Sequence, residues 1–189
     1  MGFVYIPAFQ KQITPLDKYG GVNCAAYATA MAVDRHTMGG VVVTGAVVRR
    51  ATNEPIPDPG SPGLTIPQLV NAAFGWHVQL VNRTGAPWAA VLAALHEHRG
   101  VVLAGDYDQI PAEFSGQLSF KGDHSVYLNH QSNDGNSLWW MDPLNKAGGF
   151  YIPTAVAKAY ATKFAKTIGV YPGLAFITTR VTPSLAAAP

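Results

Sequence analysis

The chain holds a single cysteine, Cys24, and it stands where a helix should begin. Ala25 to Ala32 are mostly strong helix formers, Gly39-Gly40 closes the region, and Asn23 has the side chain of an N-cap. A thiol at the first turn faces the positive end of the helix dipole, which favours the thiolate, the nucleophilic form of the group. Placement alone also fits a small buried hydrophobe. A nucleophile needs in addition an imidazole, and the imidazole needs a group that orients it.

Six histidines can supply that imidazole: His36, His77, His96, His98, His124 and His130. His96 and His98 fall at the end of a predicted helix, where they complement its C-terminus. His36 and His77 have no distinctive neighbours. His124 is different, because it opens a β-like run, Ser125 to His130, that is joined to a second, Ser137 to Met141, through the turn signal Asn133-Asp134-Gly135. Asp142 ends that second arm. Counting from the turn sets His124 and Asp142 nearly opposite, where Cβ atoms are about 4.5–5.5 Å apart. A carboxylate at that distance can fix an imidazole tautomer. An alternative third group is His130, as in NlpC-type cell-wall peptidases, though six residues of extended strand carry it about 20 Å from His124. Ser125 lacks the flanking glycines of a nucleophile elbow. Asp106, Asp108 and Glu113 lack the ordered spacing of a metal site and read as a solvated loop. Of Trp139 and Trp140, alternation sends one to the core and one to the surface.

The elements that must position these groups follow from patterning. Val41 to Val48 reads as a β-rich or buried segment, and Asn53 to Gly63, rich in proline and glycine, as a loop. Thr65 and Gln68 have capping-box spacing for a helix to about Phe74, closed by Gly75. His77 to Asn82 alternates like a strand. Pro87 opens a helix with Trp88, Val91, Leu92 and Leu95 on its apolar face, and Val101 to Leu103 is a short buried strand. Thr154 starts a helix carrying Val156, Tyr160 and Phe164, ended by Gly169, and Leu174 to Val181 is a final strand. Helices first and a mostly antiparallel sheet afterwards define an α+β fold.

Composition limits the classes available. With 189 residues, 48% hydrophobic and 13% charged, the chain fits one domain, residues 1–181, with a frayed tail at 182–189. A domain of this size buries around 70% of its unfolded surface and needs neither disulfide nor metal to fold. A net charge of +2 with scattered Lys and Arg gives no nucleic-acid footprint. No long apolar run predicts a membrane span, and Met1 to Gln10 lacks the regions of a signal peptide. The expectation is a soluble protein made in the cytoplasm. Its Ala, Gly, Val and Arg usage is compatible with a high-GC genome, such as an actinobacterium or its phage.

The order of a cysteine at a helix start, a histidine at a strand start and an aspartate ending the next strand resembles papain-like cysteine peptidases. More closely, the chain is similar to the bacteriocin-processing (double-glycine) peptidase family and its relatives. The matching stretches are Tyr5-Ile6-Pro7-Ala8-Phe9-Gln10, Tyr19-Gly20-Gly21-Val22-Asn23-Cys24, Gly122-Asp123-His124-Ser125-Val126-Tyr127-Leu128 and Trp140-Met141-Asp142-Pro143, with the helix–strand unit Trp88 to Leu103. Together they span roughly residues 5 to 165. The resemblance implies a papain-like fold, Cys24 as nucleophile, His124 as general base and Asp142 as the orienting acid. It also implies an upstream glutamine in the oxyanion hole, Gln12 first and Gln10 second, acting with the Cys24 N–H. Families of this sort cut peptides after small residues, commonly glycine, or cut the peptide bridges of bacterial cell walls, and need no cofactor. The expected context is a phage lysin or virion-associated peptidase acting on peptide or peptidoglycan. The competing class is a catalytically inactive fold kept as a structural or adaptor subunit, for example among phage virion proteins.

Overall fold

A computed structural model describes residues 4–11, 23–52, 64–115, 120–145, 148–167 and 173–179. Gln12, the loop 53–63, Gly169, Val181 and the tail lie outside the described residues.

Helix α1 (Cys24–Thr37) is buried from Ala25 through Asp34. A helix covered on every side must be narrow, and its alanines let a sheet and two further helices approach its axis closely. It ends at Met38 in the left-handed region, with the Gly39 N–H bonded back to the Asp34 carbonyl. The Val41 to Val48 segment is not a strand: α2 (Gly45–Ala51) takes up its second half. Thr44 caps the helix by accepting from the Val47 N–H at 3.3 Å, and Arg49 and Arg50 fall in the last turn, where cations are favoured. These end effects outweigh the β preference of the valines. Helix α3 (Ile66–Phe74) begins as expected, with the Gln68 side chain accepting from the Thr65 N–H at 2.7 Å.

Strand β1 is only Leu80–Asn82, because His77 takes a positive φ in the turn that follows α3. After α4 (Trp88–His96), β2 runs over Val101–Asp106, three residues longer than expected, and leads into short 3-10 turns at Tyr107–Gln109 and Ala112–Phe114. Strands β3 (Asp123–Gln131) and β4 (Ser137–Met141) form the expected hairpin. Strand β5 (Gly149–Pro153) has no counterpart in the sequence reading, and α5 (Thr154–Thr167) and β6 (Phe176–Thr179) complete the fold.

The six strands form one sheet in the order β1-β6-β2-β3-β4-β5, antiparallel at every pairing. The architecture is α+β. One core cluster joins α1, α2 and α3 to one face, with Val102, Tyr127, Met141 and Ile177; the other joins α4 and α5 to the opposite face, with Leu103, Val126, Trp140 and Phe176. Parity along β2, β3, β4 and β6 accounts for both clusters. Trp140 is core while Trp139 is only partly buried, as alternation predicts.

Candidate active site

The first turn of α1 carries Cys24 to the end of the sheet where β3 begins, and the thiol is partly buried beside His124. Asn23 occupies the N-cap position without a capping bond from its side chain. The sulfur interacts with the His124 ring and accepts from the backbone N–H groups of Ser125 and Ala25. Burial pushes the thiol up, but the positive imidazole and these hydrogen bonds prevail, and the net shift is downward.

His124 is 1% exposed and Asp142 is fully buried, and their Nε2 and Oδ1 atoms lie 2.7 Å apart. A carboxylate can only accept, so Nε2 carries the hydrogen and Nδ1 is left to face the thiol. Nδ1 is buried and has no nitrogen or oxygen partner among the described residues. Burial disfavours the charge on the imidazole, yet Asp142 and then Cys24 outweigh it and raise its pKa to about 9. Both shifts favour a thiolate–imidazolium pair.

The ladder differs from the simple count. Tyr127 pairs with Met141 and Leu128 with Trp140, and a bulge before Gln131 shifts the register by one residue. Continued one step, this register sets Asp142 opposite Val126, so His124 and Asp142 are diagonal neighbours on one face. Diagonal positions remain within reach of long side chains. The chain turns just after Asp142: Oδ1 also accepts from the Leu144 N–H at 2.8 Å, and the Asn145 N–H bonds the Asp142 carbonyl.

Three supporting residues were not singled out as site residues by sequence reasoning. The Tyr107 hydroxyl donates to Asp142 Oδ2 at 2.7 Å, and its ring meets His124 edge-on at 5.0 Å. Phe120 packs against the same imidazole at 5.5 Å. The Tyr160 hydroxyl, from α5, donates to the His124 carbonyl at 2.5 Å. A Cβ on Gly105, the register partner of His124, would lie 2.0 Å from the Tyr160 ring, so only glycine admits that ring. The signal for Tyr107 was its place just past β2, whose last residue Asp106 pairs with Asp123. Tyr160 was visible only as part of an apolar helix face.

The other expected residues separate clearly. His130 is not the third group: its Nε2 meets the Tyr151 hydroxyl at 2.9 Å and its ring stacks on Trp139. Distance along β3 removes it from His124. Asp106 accepts from the Asp108 N–H and from Gln109 Nε2, while Asp108 pairs with Lys121 at 3.2 Å. Among the described residues no group of three His, Cys, Asp or Glu is placed to hold a metal ion. Gln10 is partly buried in the segment preceding α1, and Gln12 lies outside the described residues. Within the described residues no helix is long and apolar enough to cross a membrane.

No model of a protein family matches the chain, and no curated protein matches it in sequence. Solved structures do match its fold. A C39-like peptidase from Bacillus anthracis aligns with a TM-score of 0.58 at 17% identity, over 96% of this chain and 100% of that one. The peptidase domain of Streptococcus ComA, a bifunctional ABC transporter of a quorum-sensing pathway, aligns with a TM-score of 0.55 at 15% identity, over 93% of this chain and 98% of that domain. The mixed helix and antiparallel-sheet architecture is therefore that of the C39-like peptidase fold.

Proposed function

We propose that the protein is a cysteine endopeptidase that hydrolyses amide bonds through an acyl-thioester on Cys24. The observation that carries this reading is the buried His124–Asp142 contact at 2.7 Å beside a thiol whose pKa is lowered. The Cys24 thiolate attacks the scissile carbonyl carbon. The His124 imidazolium gives its Nδ1 proton to the departing amine, leaving the acyl group on sulfur. Neutral His124 then removes a proton from water, whose oxygen attacks the thioester and releases the acid. Asp142 keeps Nδ1 directed at the sulfur throughout by holding Nε2. Donors to the tetrahedral oxyanion are the Cys24 N–H and a glutamine of the preceding segment, Gln12 or Gln10. Cell-wall peptides of bacteria are one substrate class that the family resemblance implies, so peptidoglycan is offered beside free peptides in the test.

Two measurements test this reading. Alkylation of Cys24 by iodoacetamide, followed by intact mass, should show an inflection below the ordinary thiol value of about 8.5, because the thiolate persists to lower pH. Hydrolysis of a mixed peptide library or of purified cell wall should rise through the same inflection. It should fall as pH increases through about 9, where His124 loses the proton needed by the leaving amine. Cys24→Ala should abolish hydrolysis. Ordinary thiol behaviour with no hydrolysis at any pH would instead assign the fold to a structural or adaptor role.

A further inference from the structure

Cys24, His124 and Ser125 line one cleft of about 620 Å3, within the range of small-ligand sites. Its other walls are mainly apolar, with Thr65, Asn82, Thr84 and Asp123 as the polar exceptions. Helix α3 and the two residues before it contribute Leu64, Ile66 and Leu69, and the sheet contributes Val102, Ala104 and Ile177. Apart from the Cys24–His124 pair, Asp123 is the one charged residue among the described residues of the lining. We infer that this cleft receives a bulky, neutral, apolar side chain of the substrate, of the leucine or phenylalanine class, within two residues of the scissile bond on the acyl side.

The inference rests on the peptidase reading above and departs from the glycine preference that the sequence resemblance implies. Glycine presents no side chain and would leave this apolar surface in water, whereas a leucine side chain would bury against it. The floor of the cleft is kept open by residue size. Ala104 is the register partner of Ser125, next to His124, and its side chain shares the face of Val102. A larger residue at that position would project into the space beside the nucleophile. At the mouth, Asp123 and its ladder partner Asp106 place two carboxylates side by side, and an acidic substrate side chain there would meet like charge.

The test uses dipeptide chloromethyl ketones, acetyl-Gly-Gly, acetyl-Leu-Gly, acetyl-Gly-Leu and acetyl-Glu-Gly, whose rates of labelling Cys24 are each divided by that variant's iodoacetamide rate. At least one leucine probe should label the natural protein about tenfold or more faster than Gly-Gly, the factor expected for burying one such side chain. The glutamate probe should gain nothing over Gly-Gly. Ala104→Phe, which fills the cleft, should erase the leucine preference, and Ile66→Asp, on the helical wall, should reduce it severalfold. A Gly-Gly probe as fast as both leucine probes would overturn the inference while leaving the nucleophile assignment standing, as would an unchanged preference in both variants. Slow iodoacetamide labelling of the natural protein, with an ordinary thiol inflection, would remove the peptidase reading itself and the inference with it.

Discussion

Cys24 and His124 stand next to each other but are held in different ways. The histidine is fixed on several sides: Asp142 holds Nε2, Tyr107 and Phe120 flank the ring, and Tyr160 bonds the backbone carbonyl. Asp142 is itself bound by Tyr107 and by the Leu144 N–H. Among the described residues the cysteine is held by its helix turn, the His124 ring and two backbone donors. Asn23, beside it, is 2% exposed, yet its Oδ1 has no hydrogen-bond partner among the described residues. The difference matches the chemistry proposed for each group. An imidazole must keep one tautomer and one direction through a proton transfer, and both require partners. A sulfur nucleophile needs only to be near, charged and reachable.

This asymmetry can be broken at its strongest point. Asp142→Ala would leave His124 Nε2, the Tyr107 hydroxyl and the Leu144 N–H buried without their acceptor. A loss of about 3–5 kcal/mol is expected, as for removing one partner of a buried pair. Urea unfolding would read the stability, and the alkylation inflection of any folded fraction should move toward the ordinary thiol value. A smaller effect is expected from Gly105→Ala, which forces Tyr160 aside and loosens the His124 carbonyl. Overpacking of this kind costs about 1–3 kcal/mol, readable as a lowered Tm. The smallest effect should come from Asn23→Ala. An N-cap that makes its bond contributes about 1 kcal/mol, but this one makes none, so a change below about 0.5 kcal/mol is expected. A loss at Asn23 as large as that at Asp142 would contradict the contrast drawn between the two sides.

Much of the fold could be read from local signals, where those signals were strong. The capping box at Thr65, the hairpin about Asp134 and the apolar face of α4 each combine several residues pointing to one structure. The segment from Val41 misled because valines signal strands, while its helix is set by a cap and two terminal arginines. Strand β5 was missed because it is five residues long, holds a glycine and a proline, and gains its structure from pairing with β4. The candidate site follows the same division. Cys24, His124 and Asp142 lie at the ends of elements whose boundaries the sequence marks. The pairing of His124 with Asp142 was less legible, because a bulge in mid-hairpin moves the register and no local pattern announces it. Tyr107 and Tyr160 were hidden for another reason. Each reads as an ordinary aromatic until the third dimension shows where its hydroxyl ends.

The position of β6 has a consequence for the order in which the molecule comes into being. This last strand is not at an edge but is inserted between β1 and β2, and Tyr160 lies only a short way before it. Cys24 therefore leaves the ribosome well before the groups that complete its surroundings. At roughly 5–20 residues per second, the interval between residues 24 and 176 is about 8–30 seconds. For that time the cysteine is a plain thiol on an unfinished chain. On the peptidase reading, its reactivity arrives with the closing of the sheet, so a partly made molecule carries the proposed nucleophile without the means to use it.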